Sequence, residues 1–533
     1  MLLILKCQNR GLQVRFLPPN EFLIISGRDD NFVVPISEQD VKSNVLLPDA
    51  ARHHARMLLE DANKELELID CFDRSTGRES LITGRPGIVS RIQFYQAAVA
   101  PHRILPNEIL GDIFLHCLPG AIRIPPGLDL PAAPFNVTRV SSRWRRVALG
   151  TPRLWSDIHI EYFLPSRAVR DTEIARQLIA RSGNSSVSLT VALRWDNSNS
   201  TVLSDALRQL IVPHATRLKD LVLCDYGLLS CKHLLSLLPD SFKFDTLETV
   251  NLIFSDGQSW DVEFEAVVFP PAPHLRKFAY KQKGSASFYP SRFHLPWSQL
   301  TDICIVRDMC ALEAHLMLGH CVSLVNCSLV IWGTFNLLND DERATLRKLH
   351  QLPPTVVPNL ATLLLDHTLD FTEFLRNLVP PCLASFRFGK HCISQKQSSS
   401  WGSVFVPFLM RAPRLTRLSI NQAVPEDTVE SILCAVPSLT TLAFLYGDEI
   451  PKATLELIAH GDLVPKLRNL RCYVVYLDPF VDMLEARWAA SHSFTGIDEV
   501  FIDLDTNGGG ANYLSRNRVG GLKAAGRNIT LRG

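Results

Sequence analysis

The chain has 533 residues, 46% hydrophobic and 20% charged, with 55 Lys plus Arg against 54 Asp plus Glu. That is too long for one compact core and too apolar for global disorder, so several domains or a repeat array are expected. The balanced charge removes any chain-wide electrostatic reason to bind nucleic acid or an anionic membrane, and no apolar run reaches the ~18–20 residues of a membrane span.

At the N-terminus only Leu2, Leu3, Ile4 and Leu5 precede Lys6. That run is too short for a signal-peptide core, and an intracellular chain, cytoplasmic or nuclear, is expected. Residues 1–45 are strand-rich and carry no assignable pattern. Residues 46–100 form a helical arm. "DAARHHARMLLEDANKELELID" (49–70) is built of helix formers, with Met57, Leu58, Leu66 and Ile69 as its apolar positions. "GIVSRIQFYQAAVAPHR" (87–103) places Ile88, Ile92, Tyr95 and Val99 at helical spacing. The polar and glycine-containing stretch between the two interrupts the pattern, so two helices are expected. A rival reading starts from "SGRDD" at 26, "RHHA" at 52 and the segment 68–77, which echo a phosphopeptide-binding forkhead-associated domain. Ala51 stands where such domains place a serine.

Next comes "ILPNEILGDIFLHCLP" (104–119), a helix framed by prolines. At 3.6 residues per turn, Ile109, Ile113 and Cys117 form one row and Leu110, Phe114 and Leu118 the next. Together they are wider than the ~100° stripe that one core requires. A proline-rich loop (120–134) follows, then the stretch 135–160, in which Val140, Trp144, Val147 and Ala148 fall on one helical face with Arg143, Arg145 and Arg146 toward solvent, for a unit of two or three short helices. "TPRLW" stops that helix and returns Trp155 to the core. A unit of about 55 residues buries only part of its apolar surface alone, so the spare rows of 104–119 are a candidate interface.

From about residue 185 a pattern recurs: a large apolar residue, two others, an apolar, one other, an apolar. It starts at Leu218, Leu247, Leu275, Leu300, Leu324, Leu360, Leu383, Leu415, Leu439, Leu467 and Ile497. The spacing runs from 23 residues (Leu360 to Leu383) to 36 (Leu324 to Leu360), near that of leucine-rich repeats. A proline lies two residues before several of these leucines (Pro273, Pro358, Pro381, Pro413, Pro437, Pro465), where it ends the preceding helix and suits the start of a strand. Stacked strand-and-helix units share a continuous core, with fourth and sixth positions inward and third and fifth on a concave face. Asp220, Asn251, Lys277, Asp302, Asn326, Thr362, Arg387, Arg417, Asn469 and Arg471 occupy that face. Their mixed charge offers no stripe for a phosphate backbone.

The thirteen cysteines include no CxxC pair, which suggests neither a disulfide framework nor a zinc ribbon. Cys304, Cys310, His315, His320, Cys321 and Cys327 fall close together, but the repeat register puts Cys304 outward and Cys327 inward. Free thiols are the simpler reading, and no metal or other cofactor is expected.

"LPNEILGDIF" followed by "VSSRWRRVALGTPRLW" closely resembles the F-box. The whole layout of helical arm, F-box (101–160) and irregular repeats (161–533) resembles the large F-box family of mushroom-forming fungi. The resemblance implies an α/β fold class: a helical arm and a small all-α F-box ahead of a leucine-rich-repeat solenoid with parallel strands on its concave face. It also implies a substrate adaptor that docks on a small Skp-type protein, and through it on a cullin–RING ubiquitin ligase, while the repeats recruit a target protein. Carried over by position, Leu105, Pro106, Ile109, Leu110, Ile113, Phe114, Val140 and Trp144 would be the adaptor contacts or their immediate support. The long loop at 119–134 departs from the family pattern.

No nucleotide-binding, hydrolase or zinc-enzyme motif is present, and "NGGGANYLSRNRVGG" (507–521) reads as a loop, so no catalytic residue is expected. Two function classes stay open: the non-catalytic ubiquitin-ligase adaptor, and a repeat-based interaction scaffold in which the F-box-like helices act only as a structural cap. The substrate-binding residues carry no readable code.

Overall fold

In the computed structural model the described residues are 2–7, 12–17, 36–43, 46–76, 85–118, 120–125, 133–162, 164–193, 208–225, 242–254, 267–282, 288–332, 351, 353–367, 372–390, 401–445, 450–474, 476–489, 495–504 and 513–532. The chain is mixed α/β and divides into two compact units, residues 1–158 with 177–185, and residues 159–176 with 186–533.

The first unit opens with an antiparallel hairpin, Leu2–Cys7 on Leu12–Leu17. Helices α1 (Glu38–Ser43), α2 (Asp49–Thr76) and α3 (Arg85–Val99) follow. The arm pairs α2 with α3 around Ala62, Ile88 and Ile92, with Leu59, Leu66 and Ile69 against them, and Arg91 bridges to Glu65 at 2.6 Å. Met57, read as one of the arm's apolar positions, is exposed. "RHHA" lies inside α2, not in a loop, which removes one leg of the forkhead-associated reading; "SGRDD" lies outside the described residues. Three further helices complete the unit: α4 (Asn107–His116), α5 (Ala133–Val140) and α6 (Ser142–Leu149).

The second unit is one long sheet laid down in chain order. Its strands are β1 (Asp157–Tyr162), β2 (Val187–Leu193), β3 (Leu218–Asp225), β4 (Thr249–Phe254), β5 (Lys277–Gln282), β6 (Asp302–Cys310) and β7 (Asn326–Trp332). They continue as β8 (Thr362–His367), β9 (Ser385–Lys390), β10 (Arg417–Asn421), β11 (Thr441–Phe444), β12 (Asn469–Val474), β13 (Glu499–Leu504) and β14 (Asn528–Arg532). Every neighbouring pair from β2 to β14 is parallel. Long parallel sheets need a covered face, and the return segments supply it with short helices such as Ala311–His320, Glu426–Cys434 and Lys452–His460. This is a solenoid-like architecture with inward and outward positions alternating: in "LKDLVL", Leu218, Leu221 and Leu223 are buried while Asp220 and Val222 are not.

A turn sets that alternation. Leu275 N–H donates to Ala272 O across Pro273, Leu415 to Ala412 across Pro413, Leu439 to Val436 across Pro437 and Leu467 to Val464 across Pro465. Proline is the second residue of a four-residue turn, the position for which its fixed φ is suited. It therefore does more than end a helix. The same bond forms without proline at Leu300 to Trp297 and Leu324 to Cys321.

Two further expectations change. Residues 513–521, read as the end of a loop, belong to a helix, Tyr513–Ala524. Three of the six candidate zinc ligands are otherwise engaged. His315 is 2% exposed, with Nδ1 against Thr355 Oγ1 at 2.9 Å and Nε2 against Phe374 O at 3.0 Å, so both ring nitrogens are used in joining three segments. Cys321 Sγ donates to Met317 O, and Cys310 Sγ accepts from Glu313 N as a helix cap. Among the described residues no three His, Cys, Asp or Glu side chains converge as a metal site, and no helix is long and apolar enough to cross a membrane.

One buried cation holds the last repeats in register. Arg487 is fully buried, and its guanidinium donates to Ile458 O, Val464 O, Pro465 O and Thr495 O. Val464 is held at φ 43°, a left-handed conformation rare for a β-branched residue, and the arginine anchors its carbonyl. Arg487→Ala should cost about 3 kcal/mol in urea denaturation, because it strands several buried acceptors. Arg468→Ala, which removes only an exposed pair with Asp498, should cost less than about 1 kcal/mol.

Asp171 is the opposite case. It is 3% exposed on the helix α7 (Pro165–Arg181), and among the described residues it has no hydrogen-bond or ion-pair partner. Desolvation raises its pKa, partly opposed by Arg167 and Arg170. The folded state therefore binds this proton more tightly than the unfolded one, and stability falls as pH rises from the ordinary carboxylate range through the raised folded value. Asp171→Asn should raise the melting temperature at pH 7 and flatten that fall.

Candidate functional site

The site is the helical segment 104–160. Pro106 stands at the N-cap of α4 with φ −53° and ψ 152°, Glu108 lies in the first turn and His116 in the last, which matches the helix dipole at both ends. The wide apolar band divides cleanly. Leu110 and Phe114 are each 1% exposed, whereas Ile109 and Ile113, one residue earlier on the same turns, are 47% and 40% exposed.

What takes up the first row is a small aromatic core. The Phe114 ring lies 4.9 Å from Trp144, centroid to centroid. Trp155 is fully buried and donates from Nε1 to Ala148 O at 2.9 Å, with Phe135 edge-on and the Arg181 guanidinium 5.0 Å above its ring. Gly111 lets α4 approach this core: a Cβ there would meet Thr151 Oγ1 at 2.9 Å.

The expected helical face of Val140, Trp144, Val147 and Ala148 is broken at Ser141. Ser141 is extended (φ −159°, ψ 168°) and its hydroxyl accepts from Trp144 N, so it caps α6 instead of continuing α5. A serine hydroxyl offers the backbone this alternative to a helical bond. The break separates Val140, 54% exposed at the end of α5, from half-buried Trp144 on α6. Arg143 does not point to solvent as expected. Its guanidinium donates to the carbonyls of Arg103 and Leu105 and to Asn107 Oδ1, which fastens α6 to the start of α4. Arg103 is itself 1% exposed, and donates to Ala97 O, Asp40 O and Val41 O. His102 lies edge-on to Trp144, and burial, with Arg103 and Arg143 nearby, lowers its pKa so that the ring is neutral at pH 7.

The residues expected to contact or support an adaptor thus fall into three sets. Pro106, Ile109, Ile113 and Val140 are exposed, Leu110 and Phe114 are buried in the unit's own core, and Leu105 and Trp144 are half-buried. Sequence reasoning passed over Ile104, 50% exposed, although it heads the same motif, and it missed the role of Gly111. No protein-family model matches the chain, and no curated protein matches it.

Ile109→Asp and Ile113→Asp should each change stability by less than about 1 kcal/mol, while Phe114→Ala should cost about 3–5 kcal/mol, all read by chemical denaturation.

Proposed function

We propose that the chain is a non-catalytic F-box adaptor, in which α4 docks on a Skp-type protein of a cullin–RING ubiquitin ligase and the solenoid, read as leucine-rich repeats, recruits a target protein. The observation that carries this reading is the split of α4. A unit this small spends one apolar row on its own core and leaves Ile109 and Ile113 in water beside exposed Pro106. Burying the exposed parts of Ile104, Ile109, Ile113 and Val140 would contribute about 1 kcal/mol each before association costs.

The test is mass spectrometry of what the tagged full-length chain brings down from a fungal lysate. A Skp-type protein is expected with the wild type and lost with Ile109→Asp plus Ile113→Asp, at an unchanged melting temperature. Phe114 is left intact because its loss would unfold the unit. Retention of the adaptor by the double variant overturns the reading.

A second reading treats the helical segment as structural only. It is favoured by the clustering of residues 177–185 with the first unit, where Arg181 covers Trp155. Deletion of 101–160 would then lower the melting temperature of the remainder, and the intact chain would bring no adaptor.

A further inference from the structure

The concave face of the solenoid has a mixed composition, but its charges are unevenly committed. Asp220 accepts from Ser188 Oγ at 2.7 Å. Asp302 accepts from Thr301 Oγ1 at 2.7 Å and from Asn326 Nδ2 at 2.8 Å. Asp503 is paired with Arg471 at 2.9 Å. The sheet thus satisfies most of its acids from neighbouring strands. Lys277 on β5, Arg387 on β9 and Arg417 on β10 are exposed and make no hydrogen bond or ion pair with the described residues.

These three cations share the N-terminal half of the strands. In the register of the sheet Lys277 aligns with Asp302, Asn326, Thr362, Ser385 and Arg417, and Arg387 stands one outward position further along. From β5 to β9 there are four strand spacings, about 19 Å, and to β10 about 24 Å. Between them the next outward row is Ala279, Cys304, Ser328 and Leu364, small or apolar and half-buried. Asp366, an acid without a side-chain hydrogen bond or ion pair among the described residues, lies at the C-terminal side of this row, its Oδ1 against Gly389 where a Cβ would come within 2.6 Å.

We infer that this trough binds an extended acidic segment of a partner protein, with carboxylates at Arg387 and Arg417 on one side, a carboxylate at Lys277 on the other, and small or apolar side chains between. About six or seven extended residues span the distance. The row between the cations has no aromatic platform, which favours a peptide over a single-stranded nucleic acid. Calling that partner the ligase target rests on the adaptor reading; the binding chemistry does not.

The test uses the full-length protein and fluorescence anisotropy with a labelled octapeptide, Glu-Asp-Ala-Val-Ser-Ala-Asp-Glu. Its amide counterpart, Gln-Asn-Ala-Val-Ser-Ala-Asn-Gln, and an oligouridylate are run beside it. The acidic peptide should bind with an affinity that falls with salt, and Arg387→Glu plus Arg417→Glu should weaken it at least about tenfold. Arg468→Glu, outside the trough, should not. Both substitutions fall on exposed side chains, and unchanged melting confirms an intact fold. The inference is overturned by equal binding of the two peptides, by tighter binding of the oligouridylate, by wild-type affinity in the double variant, or by no saturation up to about 1 mM. Adaptor co-purification is measured on the same samples. Acidic-peptide binding without an adaptor would leave the trough standing and remove the adaptor reading, and the converse would remove the trough alone.

Discussion

From Leu275 to Leu467 each repeat of the long sheet begins at a turn whose closing residue is a buried leucine, donating its backbone N–H three residues back. The bond fixes where the strand begins, and the start fixes which side chains face inward, since a shift of one residue would turn every core residue outward. Because the neighbour above and below has the same register, the inward rows form one continuous core along the sheet. Much of the sheet's outward surface follows from that constraint. Its rows of outward residues are aligned across strands by the ladder, so residues far apart in sequence, such as Lys277 and Arg417, become positions on one line.

The helical segment obeys a different limit. With few helices to share a core, it has room for Phe114, Leu110, Trp155 and Val147, and not for the second row of α4. The buried row must be matched to the tight contact at Gly111 and to the Arg143 latch, so it is not free to rotate. Exposure of Ile109 and Ile113 is therefore a consequence of how α4 is seated, and not of a loosely packed helix. The same seating explains why exposed and buried residues of α4 alternate by a single position along the chain.

Periodicity carried the strands well. The starts from Leu218 to Ile497 read from spacing alone coincide with buried residues at the heads of strands, because alternation and burial are one and the same physical signal. The strands Asp157–Tyr162 and Val187–Leu193 lie ahead of the first leucine counted; the second has no leading leucine, and the Pro152–Leu154 turn ahead of the first reads in the sequence only as the stop of a helix. What spacing could not carry was decided by single polar groups. Ser141 breaks a helix by capping its successor, Arg143 abandons solvent for backbone carbonyls, and His315 spends both nitrogens on Thr355 and Phe374. The last two choices depend on partners about 40 or more residues away, which no local pattern records, and the first turns on one hydroxyl that apolar spacing does not register. The band over 104–119 lies between these cases: its excess width was visible, but which row would be buried depended on Trp144 and Thr151.

Charge teaches the same lesson on the concave face. A count of its outward residues finds both signs and suggests no preference, just as the whole chain is nearly neutral. Counting hydrogen bonds gives another answer, because an acid already holding a serine, an asparagine or an arginine has little left to offer a partner, whereas an unpaired guanidinium keeps its full set of donors. Strand neighbours occupy acceptor oxygens of Asp220 and Asp302 and pair Asp503 with Arg471, at no cost in the lysine and arginines of the trough. A surface that is balanced in composition is then basic in what it can still bind. The selectivity of such a face lies in which of its charges the fold has already consumed.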